Sequence, residues 1–418
     1  MTRPRVCVTG LGAVSGFGAG AERLWRALVA GERATAERPE LAAAGLRVGP
    51  IALVPSAPVG DAAAARASSF AVAAAREAMA DAGATDAMPR LGVVCGTTLG
   101  GIDAFLRAIR ADAIAPADAN ARTDGNARAD EFARAGESAR AGESARAGER
   151  FTCAAPARAI ADALGARGPV DTVSVACASG NVALGTALEL IRDGACDVVV
   201  AGGADALNDF VLSGFAALKA LDLGPCRPFD RARRGLNLGE GACFLVLEAE
   251  PRARARGARI RAFLDGYGLA ADAVHMTGPD REGRGAARAM RLALDDAGAA
   301  PGDLDFVSAH GTATTFNDLM EAKALAALLG AHAPSVPVNS IKSAVGHTLG
   351  AAGALEALLC VRALESGLVP PTPGLTDLDP EIPLDVIRGH ARPLPLATVL
   401  STSSGFAGSN ASLLFRHA

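Results

Sequence analysis

One tryptophan and one tyrosine are all that this 418-residue chain offers beyond its phenylalanines, and no charge of either sign dominates it. Its 41 basic and 45 acidic residues leave a formal charge of −4 at pH 7. With so little surface for base stacking and no positive excess, nucleic-acid binding is not expected. No two cysteines stand in a CxxC spacing. The eight thiols Cys7, Cys95, Cys153, Cys177, Cys196, Cys226, Cys243 and Cys360 are scattered, so neither a zinc site nor a dithiol redox motif is expected. Several sit in apolar runs, where a buried free thiol is the simplest reading. No unbroken apolar stretch approaches the length of a membrane span. The apolar run after Met1–Arg5 is interrupted by glycine too early to form a secretory signal. The expected setting is a reducing cytoplasm, away from any membrane. What the chain does have is hydrophobic residues, 50% of the total. At this length they suit two packed halves rather than one core.

Val6–Thr9 reads as a short buried strand, followed by a tight strand-to-helix turn through Gly10-Leu11-Gly12-Ala13-Val14-Ser15-Gly16. A dinucleotide-binding loop would need its third glycine at Ser15 and a later strand ending in a ribose-binding acid, and it has neither. Further strands are expected at Leu91–Cys95, Thr172–Ala176, Asp197–Ala201, Phe244–Leu247, Phe306–Ala309 and Val336–Asn339. Helices are expected at Ala178–Arg192, Ala286–Ala297 and Gly350–Glu365. Strands that are apolar throughout, alternating with helices, indicate a mixed α/β fold with sheets covered on both faces. The basic stretch Glu250–Gly257 is either a joint between residues 1–250 and 251–418 or only a surface turn. Within the first part, residues 111–150 form a variable insertion. It ends in a six-residue repeat, Ala133–Ser138, Ala139–Ser144 and Ala145–Arg150, whose units lack any large apolar residue and each carry a glycine. Such a repeat is expected on the surface, mobile or weakly helical.

Three places carry chemistry. Cys177 follows the apolar run Val170–Ala176 and precedes the helix opened by Ala178-Ser179-Gly180. A thiol at that junction meets the unpaired N–H groups and positive end of a helix, which favour a thiolate. Its small neighbours let a substrate carbonyl approach backbone donors. On these residues alone a structural buried cysteine stands level with a nucleophile. His310, in His310-Gly311-Thr312-Ala313-Thr314, and His347, at the end of Lys342-Ser343-Ala344-Val345-Gly346-His347, each follow a strand among small residues. That setting presents a ring at a strand end, although for either histidine alone a structural role is an equal reading. A glycine-rich loop, Ser404-Gly405-Phe406-Ala407-Gly408-Ser409-Asn410, lies near the C-terminus.

Taken in order, these segments resemble the β-ketoacyl-acyl carrier protein synthases with one cysteine and two histidines, as in elongating fatty acid and type II polyketide systems. Supporting stretches are Ala201–Asp205, Arg227-Pro228-Phe229-Asp230, Gly239-Glu240-Gly241 and Asn317–Leu325. The resemblance implies a thiolase-like five-layer αβαβα sandwich of two topologically similar halves, acting as a homodimer or as a heterodimer with a related subunit. It implies that Cys177 accepts an acyl group from an acyl carrier protein or coenzyme A. A malonyl thioester then loses carbon dioxide, and its carbanion attacks the acyl-Cys177 thioester. His310 and His347 would stabilise the enolate and manage the proton, Lys342 would tune them, and Glu321 would order the network unless it simply pairs with Lys342. The N–H groups of Cys177 and Phe406 would hold the oxyanion. Thr312, Thr314, Gly405 and Ala407 would contact the substrate arm. No metal or redox cofactor is implied, since loss of the malonyl carboxylate generates the nucleophile.

The chain departs from that family in four places. The repeat replaces a segment that caps the acyl tunnel. The terminal loop has exchanged an aromatic for Ser404 and a glycine for Ala407. Arg234-Gly235-Leu236-Asn237 stands where Asp-Gly-Phe-Val is usual. Of several basic residues expected where acidic carriers dock, only Arg66 remains in Ala64–Ser69. These changes point away from housekeeping fatty acid elongation and towards a specialised polyketide or polyene pathway. A non-catalytic chain-length partner subunit is the main alternative, although such partners usually lose the nucleophile. A thiolase is disfavoured, because the last cysteine, Cys360, lies well before the terminal loop.

Overall fold

The computed structural model describes residues 3–43, 45–55, 66–84, 88, 90–106 and 152–418. The insertion expected at 111–150, with its repeat, lies outside the described residues.

The first strand corrects the sequence reading. β1 runs from Val6 to Ser15, every residue buried, straight through the glycines that looked like a turn. The glycines are contact points. A Cβ on Gly10 would stand 2.1 Å from the Ala78 carbonyl oxygen, and one on Gly12 2.0 Å from that of Ala74. Both carbonyls belong to α2 (Arg66–Asp81), a helix following α1 (Ala21–Val29). The alanines of α2 and the bare glycines of β1 let the two backbones touch, with no side chain between them.

The same device recurs in the second half. Strand β6 (Ala262–Ala271) carries Gly266 and Gly268, whose Cβ atoms would each meet a carbonyl oxygen, of Ala293 and Ala289, at 2.1 Å. Those carbonyls lie on α7 (Arg284–Asp296). The topology repeats with it. β1, β5 (Gly241–Ala249), β4 (Val198–Asp205), β2 (Leu91–Gly96) and β3 (Val170–Val173) are neighbours in that order. In the second half, β6, β11 (Ser409–His417), β10 (Thr398–Gly405), β7 (Phe306–Ser308) and β8 (Pro337–Asn339) follow the same order, with short β9 (Asp385–Val386) added at the edge. Each half has two antiparallel and then two parallel pairings along this path. β1 and β6 pair antiparallel at Val6–Val8, so the two sheets are continuous at one edge.

Helices complete the layers. α2 and α3 (Ala155–Leu164) cover the outer face of the first sheet, and α7 and α8 (Asn317–Leu329) that of the second. Between the sheets lie α4 (Ser179–Arg192) and α9 (Ala352–Ser366), packed on each other and on strands of both halves. α9 is buried nearly all round, as a helix with sheet on either side must be, and its Leu355, Leu358, Leu359 and Val361 belong to the largest core cluster. The result is the expected αβαβα sandwich. Two further elements matter below, α5 (Asp209–Ala217) beside the site and α6 (Glu250–Ala255) joining the halves.

Candidate active site

The duplicated fold brings equivalent positions together. Cys177 lies between β3 and α4, and His347 between β8 and α9, the matching junction of the other half; His310 follows β7. Before Cys177 the chain turns through Ala176 in the left-handed region, φ 47°, which costs an L-residue roughly 1–2 kcal/mol. Ser179 secures the turn. Its Oγ accepts from the Val175 N–H at 2.9 Å and donates to the Ala176 carbonyl at 2.6 Å. The strand expected to reach Ala176 therefore ends at Val173, and the freed residues form the turn.

Cys177, His310, His347, Thr312, Thr314, Gly405 and Phe406 all line one cavity of about 750 Å³. Ala407 does not line it. It sits exposed with φ 64°, its N–H donating to the Met276 carbonyl at 2.7 Å, so its expected contact with substrate is not made by the wall of this cavity. Gly405 packs on the Cys177 backbone, since a Cβ there would lie 3.2 Å from the Cys177 nitrogen. The Phe406 ring stacks on Phe215 of α5 at 5.7 Å between centroids.

Behind the cavity wall the polar groups form one connected set. Lys342, buried in the single helical turn Lys342–Val345, donates to the His310 carbonyl at 2.5 Å, lies 3.1 Å from His310 Nδ1, and pairs with Glu356. Glu356 also accepts from Ser403 Oγ at 3.2 Å. Glu321 is not the partner of Lys342. Its two oxygens accept from the backbone N–H groups of His310 (2.6 Å) and Gly311 (2.8 Å). One turn earlier on α8, Asp318 accepts from the Ala313 N–H at 3.1 Å. Two acids on one helix face thus hold the His310–Thr314 loop by its backbone. Glu356, Asp318 and Asp205 were not singled out in the sequence. Asp205 accepts from Thr97 Oγ1 (2.7 Å) and from the N–H groups of Thr98 (2.8 Å), Leu99 (3.2 Å) and Gly350 (2.7 Å), tying the end of β2 to the approach of α9. Glu356 had a readable signal: it is a lone acid inside the apolar stretch Gly350–Cys360.

Burial holds both imidazoles neutral. It lowers the His310 pKa well below the ordinary value, helped by Lys342 and His347, and lowers that of His347, helped by Lys342. The Lys342 ammonium at Nδ1 of His310, and the Leu349 N–H donating to Nδ1 of His347 at 3.2 Å, make both Nδ1 atoms acceptors. Each ring then carries its proton on Nε2. The rings meet edge-on, 5.3 Å between centroids. Burial also pushes the Cys177 thiol up to about 12, against the pull of Lys342. The thiolate expected from the helix terminus is outweighed by desolvation, and the resting group is a thiol. Glu321 is pushed up to about 8 by burial, against its two backbone hydrogen bonds. The cavity wall therefore carries a protonated thiol and two neutral imidazoles, groups suited to a developing oxyanion.

The profile of the beta-ketoacyl synthase N-terminal domain matches residues 57–253, and that of the C-terminal domain residues 261–376. The chain belongs to the beta-ketoacyl synthase family. Nodulation protein E of Rhizobium sp. (strain N33) is 46% identical over 264 residues, 63% of this chain and 65% of that protein. The 3-oxoacyl-[acyl-carrier-protein] synthase 2 of Staphylococcus aureus (strain COL) is 40% identical over 259 residues, 60% of this chain and 63% of that protein. The matches thus span just under two thirds of these relatives. Among solved structures, the ishigamide ketosynthase/chain length factor superposes with a TM-score of 0.86 at 36% identity over the full length of both chains. AntDE:AntF, a type II polyketide acyl-carrier protein in complex with its ketosynthase, gives 0.87 at 30% identity, again over both full lengths. This chain shares their thiolase-like fold. Among the described residues no helix is long and apolar enough to cross a membrane, and no group of metal-ligating side chains forms. Arg66, the one basic residue left at the expected docking stretch, turns inward: it pairs with the buried Glu240 and lies over the Phe70 ring at 5.2 Å.

Proposed function

We propose that this synthase catalyses decarboxylative condensation of an acyl group held on Cys177 with a malonyl thioester on an acyl carrier protein, extending a fatty acid, polyketide or polyene chain. The neutral, Nε2-protonated pair His310 and His347, lining one cavity with Cys177, carries the reading. In the first half-reaction the Cys177 sulfur attacks the incoming thioester, and the thiol proton leaves on the departing carrier thiol. Ionisation waits for the substrate because burial disfavours the thiolate, while Lys342 and the N-terminus of α4 stabilise it as it forms. In the second, the malonyl carboxylate departs as carbon dioxide and its electron pair passes into an enolate, whose oxygen accepts from the two Nε2–H groups. The carbanion bonds to the acyl carbon, the Cys177 thiolate is expelled, and it regains a proton. The backbone N–H groups of Cys177 and Phe406 would hold the tetrahedral oxyanion, and the Thr312 and Thr314 hydroxyls, 2.9 Å apart on the cavity wall, would receive the substrate arm.

The test is intact-mass spectrometry of the protein and of Cys177→Ala with a panel of acyl-carrier thioesters, together with malonyl-carrier decarboxylation. A Cys177-dependent mass gain supports the proposal and reveals the preferred chain. A second reading, a non-catalytic chain-length partner, draws on the likeness to a ketosynthase/chain length factor pair. It takes over if the protein neither acylates nor decarboxylates.

A further inference from the structure

Away from the active-site cavity lies a second recess of about 520 Å³, with Arg33 and Arg227 on its wall and Pro225, Pro371 and Pro373 framing it. Arg33 is half-buried, and from Nη2 it donates to the Cys226 carbonyl at 3.4 Å, the long limit of a hydrogen bond. Gly374, at φ +85°, makes room for it, since a Cβ there would stand 1.5 Å from Nη2. The guanidinium is thus laid against the backbone in a fixed orientation. Its electrostatics differ from those of the arginines that pair elsewhere in the fold. Carboxylates raise the pKa of Arg5, Arg192 and Arg256. That of Arg33 is lowered by burial, against the pull of Cys226, and to a lesser extent by the Arg227 cation, with no carboxylate among the causes. Among the described residues neither Arg33 nor Arg227 forms an ion pair. Two like charges held at one recess, one of them partly desolvated, are unfavourable until an anion joins them.

We propose that this recess binds a small phosphate-class dianion between Arg33 and Arg227, independently of the active site. The planar guanidinium suits bidentate contact with two oxygens of one phosphorus centre, and two cations match a dianion better than a monocarboxylate. The volume leaves space for a small organic group on the phosphate, and the prolines hold the frame open without reorganisation. The recess backs onto the segments that hold the histidines. The Cys226 N–H donates to Asn237 Oδ1 at 2.7 Å, and the Asn237 carbonyl accepts from the His347 N–H, also at 2.7 Å.

The experiment is calorimetric titration of the full chain with inorganic phosphate at low ionic strength, with chloride at matched ionic strength as the control. Saturable binding is expected, weakened about tenfold or more by Arg33→Gln and by Arg227→Gln, and unchanged by Cys177→Ala and by Arg234→Gln at the active-site cavity. Arg227 is exposed, so its replacement does not put folding at stake, and an unchanged melting temperature without phosphate checks Arg33→Gln. Ribose 5-phosphate binding more tightly than phosphate would identify an ester as the ligand, and equal binding free phosphate. No heat beyond the chloride control, binding that survives both substitutions, or binding lost with Arg234→Gln overturns the proposal.

Discussion

Lowering the pH from 7.5 to 5 probes the two buried imidazoles directly. Both have native pKa values depressed well below the ordinary one, by burial, by Lys342 and, for His310, by His347. The unfolded chain takes up a proton on each near pH 6.5 and the native protein does not. For a depressed histidine the contribution to stability is complete above about pH 6.5 and is lost as the pH falls below it. At pH 5 this amounts to at most ~2 kcal/mol per ring, the limit for a ring that stays neutral there. The raised carboxylates Glu321, Glu356, Asp318, Asp205 and Glu240 act in the opposite sense, because they bind protons in the native state before they would in the unfolded one. The wild-type curve sums both effects, so the informative quantity is its difference from a variant. Denaturant unfolding at each pH should show His310→Gln and His347→Asn each losing less stability than wild type between pH 7.5 and 5, by up to ~2 kcal/mol. Nitrogen-15 spectra of histidine-labelled protein should show both rings neutral and protonated on Nε2 at pH 5. Parallel stability curves, an imidazolium at either ring, or a proton on Nδ1 would refute the assignment.

Alkylation of Cys177 by iodoacetamide should accelerate about tenfold per pH unit from pH 7 to 10 without levelling, because burial pushes the thiol up to about 12; a plateau beginning below pH 9 would contradict it. His310→Ala should abolish malonyl decarboxylation while leaving acyl transfer to Cys177 largely intact, and equal loss of both steps would show that the histidines share the work differently. Glu356→Leu strands the Lys342 ammonium in the core and should cost ~3–5 kcal/mol of stability, most of it recovered in Lys342→Met/Glu356→Leu; a cost under ~1 kcal/mol would mean that the pair is not buried as described. Gly12→Ala and Gly268→Ala should each destabilise by at least ~1–3 kcal/mol, since the added methyl meets a helix carbonyl at about 2 Å, and melting temperatures unchanged in both would refute the close contact.

Strands with apolar residues on both faces could be read from the sequence because burial on both sides leaves no polar alternation. β1 was cut short in that reading because Gly10 and Gly12 also suit a turn. What they do instead depends on the alanines of α2, some sixty residues away. Cys177, His310 and His347 were legible because each follows a strand among small residues. The supporting acids were harder to place. Glu321 does not pair with Lys342, because its bonds run to backbone N–H groups that no residue type announces. Ala407 looked like part of the substrate wall by its neighbours, but its left-handed backbone turns it outward. Arg66 looked like a surface cation, yet Glu240 claims it.

In the central layer a Cβ on Gly180 of α4 would stand 2.7 Å from the backbone nitrogen of Ala354 on α9, and one on Gly353 2.5 Å from Asn181 Oδ1. The two helices therefore act as the closed jaws of a vice, each jaw beginning beside one reactive group. That contact, made by the smallest residues in the molecule, fixes the two helices against each other. A single methyl in the jaws would shift Cys177 against His347 from a distance.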